Sequence, residues 1–421
     1  MKHSHRPKQR PRPKHSVLSL FTGAGGLDIG LEEAGFSTRL CVEIDPDARR
    51  TIEGNGRKWK LAEPGDIHEL TPESILEQAG LKPRELSLLA GGPPCQPFSK
   101  SSYWSNGGRT KRLKDPRADT LQAYLDVVET ALPKTLLLEN VRGLAYEGKS
   151  EGLHLLQTGL AEINKRHGTA YDPQLLAINA ADFGVPQIRE RVFIFASRDG
   201  VKLSEPEPTH GSLEDDLDPF TTAWDAIGHL DVGDWPAELA ATGRWASLLP
   251  TVPEGENYLW HTPRNDAGGA RSLFGWRTRF WSFLLKLAKD KPSWTIQAVP
   301  GPATGPFHWK SRLLSMREMA LLQTFPPDYP ITGDRRAAQR QIGNAVPCAI
   351  GEYMGLKIRR EAFGERVRHN LRLIPAHRED CPSPEKPKRV PKKYLDLVAD
   401  HPEHPGVGLG PGVAALTAET A

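Results

Sequence analysis

The sequence predicts an α/β protein built on an open sheet, with a smaller, irregular second domain. Three observations carry this reading. Short apolar runs (Val17–Phe21, LCV before Glu43, Leu86–Ala90, Thr135–Leu138) stop at a glycine or an acid, the first of them one residue later at Gly23, and alternate with amphipathic stretches, as strands buried in a parallel sheet do. A glycine-rich turn, TGAGG, follows the first run. From Asp199 onward the chain turns proline-rich and irregular, and eight of its ten tryptophans fall between Trp224 and Trp309, as expected of the core of a small second domain.

Composition narrows the class. A chain of 421 residues, 38% hydrophobic and 25% charged, reads as soluble and globular with roughly two domains. No window offers the roughly 20 apolar residues of a membrane span and no secretory core opens the chain, so a cytoplasmic protein is expected. Cys41, Cys95, Cys348 and Cys381 form no CxxC pair, which argues against a disulfide framework and a metal site. The net charge of +3 is uninformative, but its distribution is not. Leu203–Trp260 holds twelve acids against Arg244 alone, whereas Arg264–Arg317 holds ten basic residues against two acids. That asymmetry suits either a polyanion-facing surface or a solvated face of mixed charge.

Residues 1–15 form a basic arm expected to be disordered, in loose contact with phosphates or inert. Val17, Leu18, Leu20 and Phe21 then make the first strand, and TGAGGLDIGLEEAGF is a glycine turn entering a helix. Such a turn at a strand end opens a nucleotide-type crevice. A dinucleotide fingerprint would need glycine where Asp28 stands; the acid disfavours a pyrophosphate there and leaves room for a cationic sulfonium cofactor. About twenty residues on, LCVEIDP places Glu43 at a second strand end, where a carboxylate holds ribose hydroxyls. Asp66 is expected at a third strand end, placed to accept from an adenine amino group.

GGPPCQPFS, Gly91–Ser99, follows the run ending at Ala90. Its prolines fix φ on either side of Cys95 and stiffen the turn at the sheet's carboxyl edge. A buried structural thiol and an aimed nucleophile are both compatible with a lone cysteine; the surrounding rigidity suits the nucleophile. The long polar stretch that follows, with Gly107, Gly108, Arg109, Lys111, Arg112 and Lys114, reads as a basic lid. Leu121–Leu132 reads as a helix, Thr135–Leu138 as a strand ending in Glu139, and Ala180–Phe195 as a hairpin with Gln187, Arg189 and Arg191 on one strand face. Two arginines there suit either structural salt bridges or a base carbonyl and a phosphate. A helix runs through SRLLSMREMALLQTF up to Pro326, RQIGNAVP begins a last helix reaching about Phe363, and the chain beyond His369 is expected to be disordered.

GGPPCQPFS, LENV, QIRER and RQIGNAVP, in that order, resemble the C5-cytosine-specific DNA methyltransferases of bacterial type, over about Ser16–Gly364. The resemblance implies a Rossmann-like, SAM-dependent methyltransferase fold: a mixed sheet in residues 16–200 plus 335–368, a target-recognition domain and hinge in 201–334, and a tail in 369–421. It implies S-adenosyl-L-methionine as methyl donor, double-stranded DNA as substrate, a monomer in the nucleoid region of the cytoplasm, and a cognate restriction endonuclease as a partner. Carried over residue by residue, Cys95, Glu139, Arg189 and Arg191 are the expected catalytic residues. Phe21, Thr22, Gly23, Gly25, Glu43, Ile44, Asp66, Ile67, Pro94, Leu121, Asn344 and Ala345 are the expected cofactor contacts. Gln96, Ser99, Ser101, Arg109, Thr304 and Arg312 are the expected DNA contacts. DPRADTL before the helix is one residue longer than the family's usual spacing.

That chemistry accounts for the residue types. C5 of cytosine is not nucleophilic until a thiolate adds to C6, which assigns Cys95 as the nucleophile; an unshifted thiol is only about a few per cent thiolate at neutral pH, so nearby positive charge helps. Glu139 would engage N3 during addition, Arg191 the base's O2 and Arg189 a phosphate. The target base must leave the stack, at roughly a few kcal/mol. Alternatives are a tRNA cytosine-5 methyltransferase, whose CFT signature this chain lacks, a catalytically silent DNA-binding relative, and a nicotinamide dehydrogenase, which Asp28 disfavours.

Overall fold

Six strands make the central sheet of the first of two units in the computed structural model, which describes residues 15–93, 119–141, 151–212, 214–263, 271–275 and 281–401. The first unit comprises Met1–Ile178, Glu190–Glu207 and Ala345–Leu373, the second Asn179–Arg189, Pro208–Asn344 and Ile374–Ala421. The strands are β1 (His15–Leu20), β2 (Phe36–Val42), β3 (Leu88–Gly91), β4 (Thr135–Asn140), β5 (Gln174–Asn179) and β6 (Glu190–Ser197), in the order β2-β1-β3-β4-β6-β5. β1 pairs in parallel with β2 and β3, β3 in parallel with β4, and β4 antiparallel with β6. The carboxyl ends of β1, β2, β3 and β4 therefore share one edge, and that edge carries Phe21, Glu43, Gly92 and Glu139.

Among the described residues the helices of this unit are α1 (Gly26–Glu33), α2 (Pro46–Gly54), α3 (Pro72–Ala79), α4 (Asp119–Ala131), α5 (Glu151–His167) and, late in the chain, α9 (Cys348–Glu361). Leu18, Leu20, Leu89, Leu136 and Leu138 from the strands pack with Ile75, Leu76, Tyr124, Leu125, Val128, Leu156 and Leu160 from α3, α4 and α5 in one apolar core. Burial of each such side chain contributes roughly 1.5–3 kcal/mol. α9 crosses α1 so closely that a Cβ on Gly30 would lie 2.1 Å from the Cys348 carbonyl oxygen. Glycine is therefore required at that crossing.

In the second unit α6 (Ala223–Ile227), α7 (Met316–Leu322) and α8 (Arg335–Asn344) are joined by 3-10 turns and irregular chain. Ser315 starts α7 with a capping box, accepting from the Glu318 amide while the Glu318 carboxylate accepts from the Ser315 amide. The core here is Leu248, Leu249, Val252, Tyr258, Leu259, Leu284 and Phe307, closed by Tyr394. Trp309 is fully buried and its ring lies 5.7 Å from that of Trp224, but Trp235 and Trp281 are 39% and 47% exposed. The tryptophans thus supply only part of this core.

Several expectations are corrected. No strand leads into Asp66: Leu61 makes a single bridge to Cys41, and Asp66 caps a 3-10 turn, Ile67–Glu69. The segment Ala180–Phe195 is not a simple hairpin, because Ala180–Phe183 is a 3-10 turn and β6 begins only at Glu190. Ahead of it the Ile188 amide donates to the Ser293 carbonyl (2.7 Å) and the Ser293 amide to that of Pro186 (2.9 Å). These bonds take Gln187 and Arg189 out of the strand that holds Arg191. RQIGNAVP does not begin one helix; it ends α8, breaks at Pro347, and leads into α9, since the proline nitrogen cannot donate to a continuing helix. Residues 374–401, expected to be disordered with the rest of the tail, fold onto the second unit, where Tyr394 is 3% exposed. The basic arm of residues 1–14 lies outside the described residues; His15 already pairs in β1.

Candidate active site

The glycine turn begins with strain. Phe21, directly after β1, has φ 56°, a left-handed conformation that a bulky side chain seldom adopts. Such strain persists only where the surroundings enforce it, and it clusters at binding sites. Gly25 has φ 78° and caps α1, so its lack of a Cβ is used directly. At Gly26 an added Cβ would sit 2.3 Å from the Val346 carbonyl oxygen and 3.2 Å from the Ala345 Cβ. The turn and the Ala345–Val346 segment are thus brought into contact from opposite ends of the sequence.

Glu43 is locked against this turn. Its Oε2 accepts from the Gly23 amide at 2.6 Å and its Oε1 from the Asp45 amide at 2.7 Å. The carboxyl group is buried, and burial raises its pKa above the ordinary value despite those two amides. Each oxygen has a further lone pair, which suits the hydroxyls of a ribose. Beside it Ile44 is 63% exposed, an apolar surface next to a carboxylate. Asp66 is half-buried, and its Oδ1 accepts from the His68 amide at 2.9 Å. Thr22 is buried, and its hydroxyl donates to the Ser19 carbonyl at 3.2 Å. Ile67 and Leu121 lie in the apolar core, Ala345 is buried and Asn344 exposed. This donor and acceptor set fits an uncharged adenosine moiety.

Asp28 needs correction. Its carboxylate does not face the crevice. It is 1% exposed and accepts from Ser19 Oγ at 2.9 Å and Thr38 Oγ1 at 3.2 Å, between β1 and β2. Burial pushes its pKa up to about 7, the two hydroxyls opposing that rise. An inward carboxyl repels no pyrophosphate, so the argument from Asp28 against a dinucleotide falls; the exclusion of a dehydrogenase rests on the other residues.

The second cluster lies where β3 and β4 end side by side. Glu139, next to last in the buried strand TLLLEN, takes a charge-assisted hydrogen bond from Arg191 Nε on β6 at 2.8 Å. Its other oxygen is 3.3 Å from the position of a Cβ on Gly92. Asn140 Nδ2 donates to the Pro93 carbonyl at 3.3 Å, and its Oδ1 accepts from the Val141 amide at 2.8 Å. The backbone that leads toward Cys95 is therefore held against the carboxylate strand. Asn140 and Gly92 were passed over as site residues in the sequence; the adjacency of LENV and GGPP in a parallel sheet is the signal that could have found them.

Two expected contacts are corrected by burial. Arg189 is 1% exposed, and its guanidinium donates to the carbonyls of Gly343 at 2.7 Å and Ile296 at 3.4 Å. It braces the backbone just before Asn344 and is not presented to a phosphate. Arg312 is 3% exposed and forms a bidentate pair with Glu318 at 2.8 and 2.7 Å, so it is structural rather than a DNA contact. Thr304 is half-buried in a tight turn, its amide donating to the Gly301 carbonyl at 3.2 Å. Pro94, Cys95, Gln96, Ser99, Ser101 and Arg109 lie outside the described residues, as does the basic lid. Among the described residues no cluster of three or more His, Cys, Asp or Glu side chains could hold a metal ion, and no helix is long and apolar enough to cross a membrane.

The chain is 40% identical over 366 residues to the type II methyltransferase M.SacI of Streptomyces achromogenes, covering 80% of this chain and 90% of that protein. It is 32% identical to the type II methyltransferase M1.HphI of Haemophilus parahaemolyticus, over 80% of this chain and 84% of that protein. A solved structure of a Spodoptera frugiperda DNMT2 mutant shares the fold, with a TM-score of 0.57 at 16% identity, over 82% of this chain and 100% of that one. A family model, C-5 cytosine-specific DNA methylase, matches residues 15–360, and the chain belongs to that family.

Proposed function

We propose that this chain acts as a DNA (cytosine-5-)-methyltransferase, EC 2.1.1.37, in which Cys95 adds to C6 of a cytosine swung out of duplex DNA. S-adenosyl-L-methionine would supply an electrophilic methyl group to C5. Glu43 would hold the ribose of that donor, Asp66 its adenine amino group, and Phe21, Ile44 and Ala345 its apolar surfaces. Glu139 would engage N3 of the base as the thiolate adds, and Arg191, which holds Glu139 at 2.8 Å, would engage the base's O2. Loss of the C5 proton and elimination of the thiol would then release 5-methylcytosine.

The observation that carries the reading is the Glu139–Arg191 pair beside Gly92, three residues before the family's cysteine. The RNA-directed alternative has less support, because the matching family and the curated relatives above are DNA methylases or type II methyltransferases. The type II names belong to restriction–modification enzymes, which favours a cognate endonuclease as partner. Incubation with labelled donor and either plasmid DNA or tRNA tests the reading: label on DNA, abolished in Cys95→Ala while donor binding is retained, is expected. Label on tRNA alone, or full transfer by Cys95→Ala, overturns it.

A further inference from the structure

The family match ends at residue 360, yet the chain goes on and folds back over the second unit. Residues 374–401 form a strap with well-spaced anchors. Trp224 Nε1 donates to Asp380 Oδ1 at 3.1 Å, the Arg378 amide to Asp225 Oδ1 at 2.7 Å, and the Lys388 amide to the Pro250 carbonyl at 2.9 Å. Tyr394 is buried in the apolar core, stacks on Trp245 at 5.7 Å, and donates its hydroxyl to the Arg244 carbonyl at 2.6 Å. Finally Ala399–Asp400 pairs antiparallel with Arg271–Ser272.

What the strap displays is basic. Lys386, Lys388, Arg389, Lys392 and Lys393 lie along one short run, with no acid among residues 386–393. Arg244 extends the patch from the body of the unit, its guanidinium 4.7 Å over the Trp245 ring, and Lys393 Nζ lies 5.0 Å over that of Tyr394. Among the described residues none of these six cations pairs with a carboxylate. Two acids that the strap touches are already engaged, Glu254 with Lys289 and Asp225 with Thr222 and the Arg378 amide, and Asp290 near Cys381 is exposed. Glu385, Asp396 and Asp400 flank the run and are exposed. Residues 381–391 carry no helix or strand and Lys392 and Lys393 open a 3-10 turn, Lys392–Leu397, so the run is pinned between the Lys388 amide and the buried Tyr394. A fixed ribbon that holds five such cations, with Arg244 beside it, is matched by a polyanion, and the polyanion this family acts on is DNA.

We propose that this strap, with Arg244, is a second DNA-binding surface that grips the sugar-phosphate backbone of duplex DNA without reading bases. It rests on DNA as the substrate, which methyl transfer by the wild-type enzyme tests independently. Replacement of all five strap cations by glutamine (K386Q/K388Q/R389Q/K392Q/K393Q) is assayed by equilibrium binding to a 40-base-pair duplex of mixed sequence across a salt series. The slope of log K against log salt should flatten by about 0.9 for each phosphate that is no longer neutralised, and affinity near 0.1 M salt should fall at least about tenfold. The rate of methyl transfer at saturating DNA should stay within about twofold. A slope and affinity equal to wild type overturn the proposal. The wild-type protein supplies a second test that does not depend on folding of the variant: duplex DNA should protect Lys386, Lys388, Lys392 and Lys393 from acetylation at least about fivefold. Unchanged labelling, as expected if the ribbon instead docks a protein, overturns it.

Discussion

Arg191 Nε and Glu139 Oε1 stand 2.8 Å apart, across the antiparallel pair in which Glu139 lies opposite Phe193. The side chains are 17% and 11% exposed, sheltered yet reachable from the sheet's carboxyl edge. A carboxylate so held loses rotamer freedom before the substrate arrives, which is the condition for strong positioning in a transition state.

Glu139→Gln should lower the rate of methyl transfer at saturating DNA and cofactor by about 10²–10⁴-fold and leave donor affinity within about twofold. Single-turnover transfer with calorimetric donor binding checks both. A near-normal rate would mean that N3 is activated by another group.

Glu43→Ala removes the acceptor of the Gly23 and Asp45 amides together with the proposed ribose contact. Hydrogen bonds to a charged group contribute roughly 1.5–3 kcal/mol, so donor affinity should weaken by about 10–150-fold. Titration calorimetry at constant pH reads this directly, and unchanged affinity would remove Glu43 from the cofactor site.

Asp28 predicts a pH dependence of stability. With a folded pKa of about 7 against about 3.9 unfolded, the folded chain binds the extra proton between those values. Stability from this group is therefore present at low pH, declines as pH rises through that window, and is flat above about pH 7. Between pH 5 and 8 the wild type should lose on the order of 2–3 kcal/mol relative to Asp28→Asn. Denaturant unfolding of both proteins at several pH values checks it; parallel curves would show that Asp28 stays ionised in the fold.

Arg189→Met should destabilise the protein by about 1–3 kcal/mol, because the buried Gly343 and Ile296 carbonyls lose a donor. Arg189 would then be a brace whose loss lowers Tm before it alters DNA affinity. An unchanged Tm with weakened DNA binding would restore the phosphate contact expected from the motif.

The order of the motifs, the α/β class and the strand ends that carry Glu43 and Glu139 were legible in the chain, since a strand buried on both faces must be an apolar run and its polar end must lie at the sheet's edge. Phe21 and the glycine turn were legible for the same local reason. By contrast, Arg189, Arg191 and Arg312 are alike as letters. Whether a guanidinium meets carbonyls, the Glu139 carboxylate or a buried glutamate depends on residues up to 154 positions away, such as Gly343 for Arg189. The inward turn of Asp28 was hidden likewise, because it depends on the phase of α1 against Ser19 and Thr38. The strap was illegible because its composition is that of a chain unable to form its own core; it needs none, as Tyr394 borrows the core of Leu248, Tyr258 and Leu284. Local patterning thus determined which elements form and which residues reach the edge, while long-range packing alone decided which charges are spent inside the fold and which remain exposed.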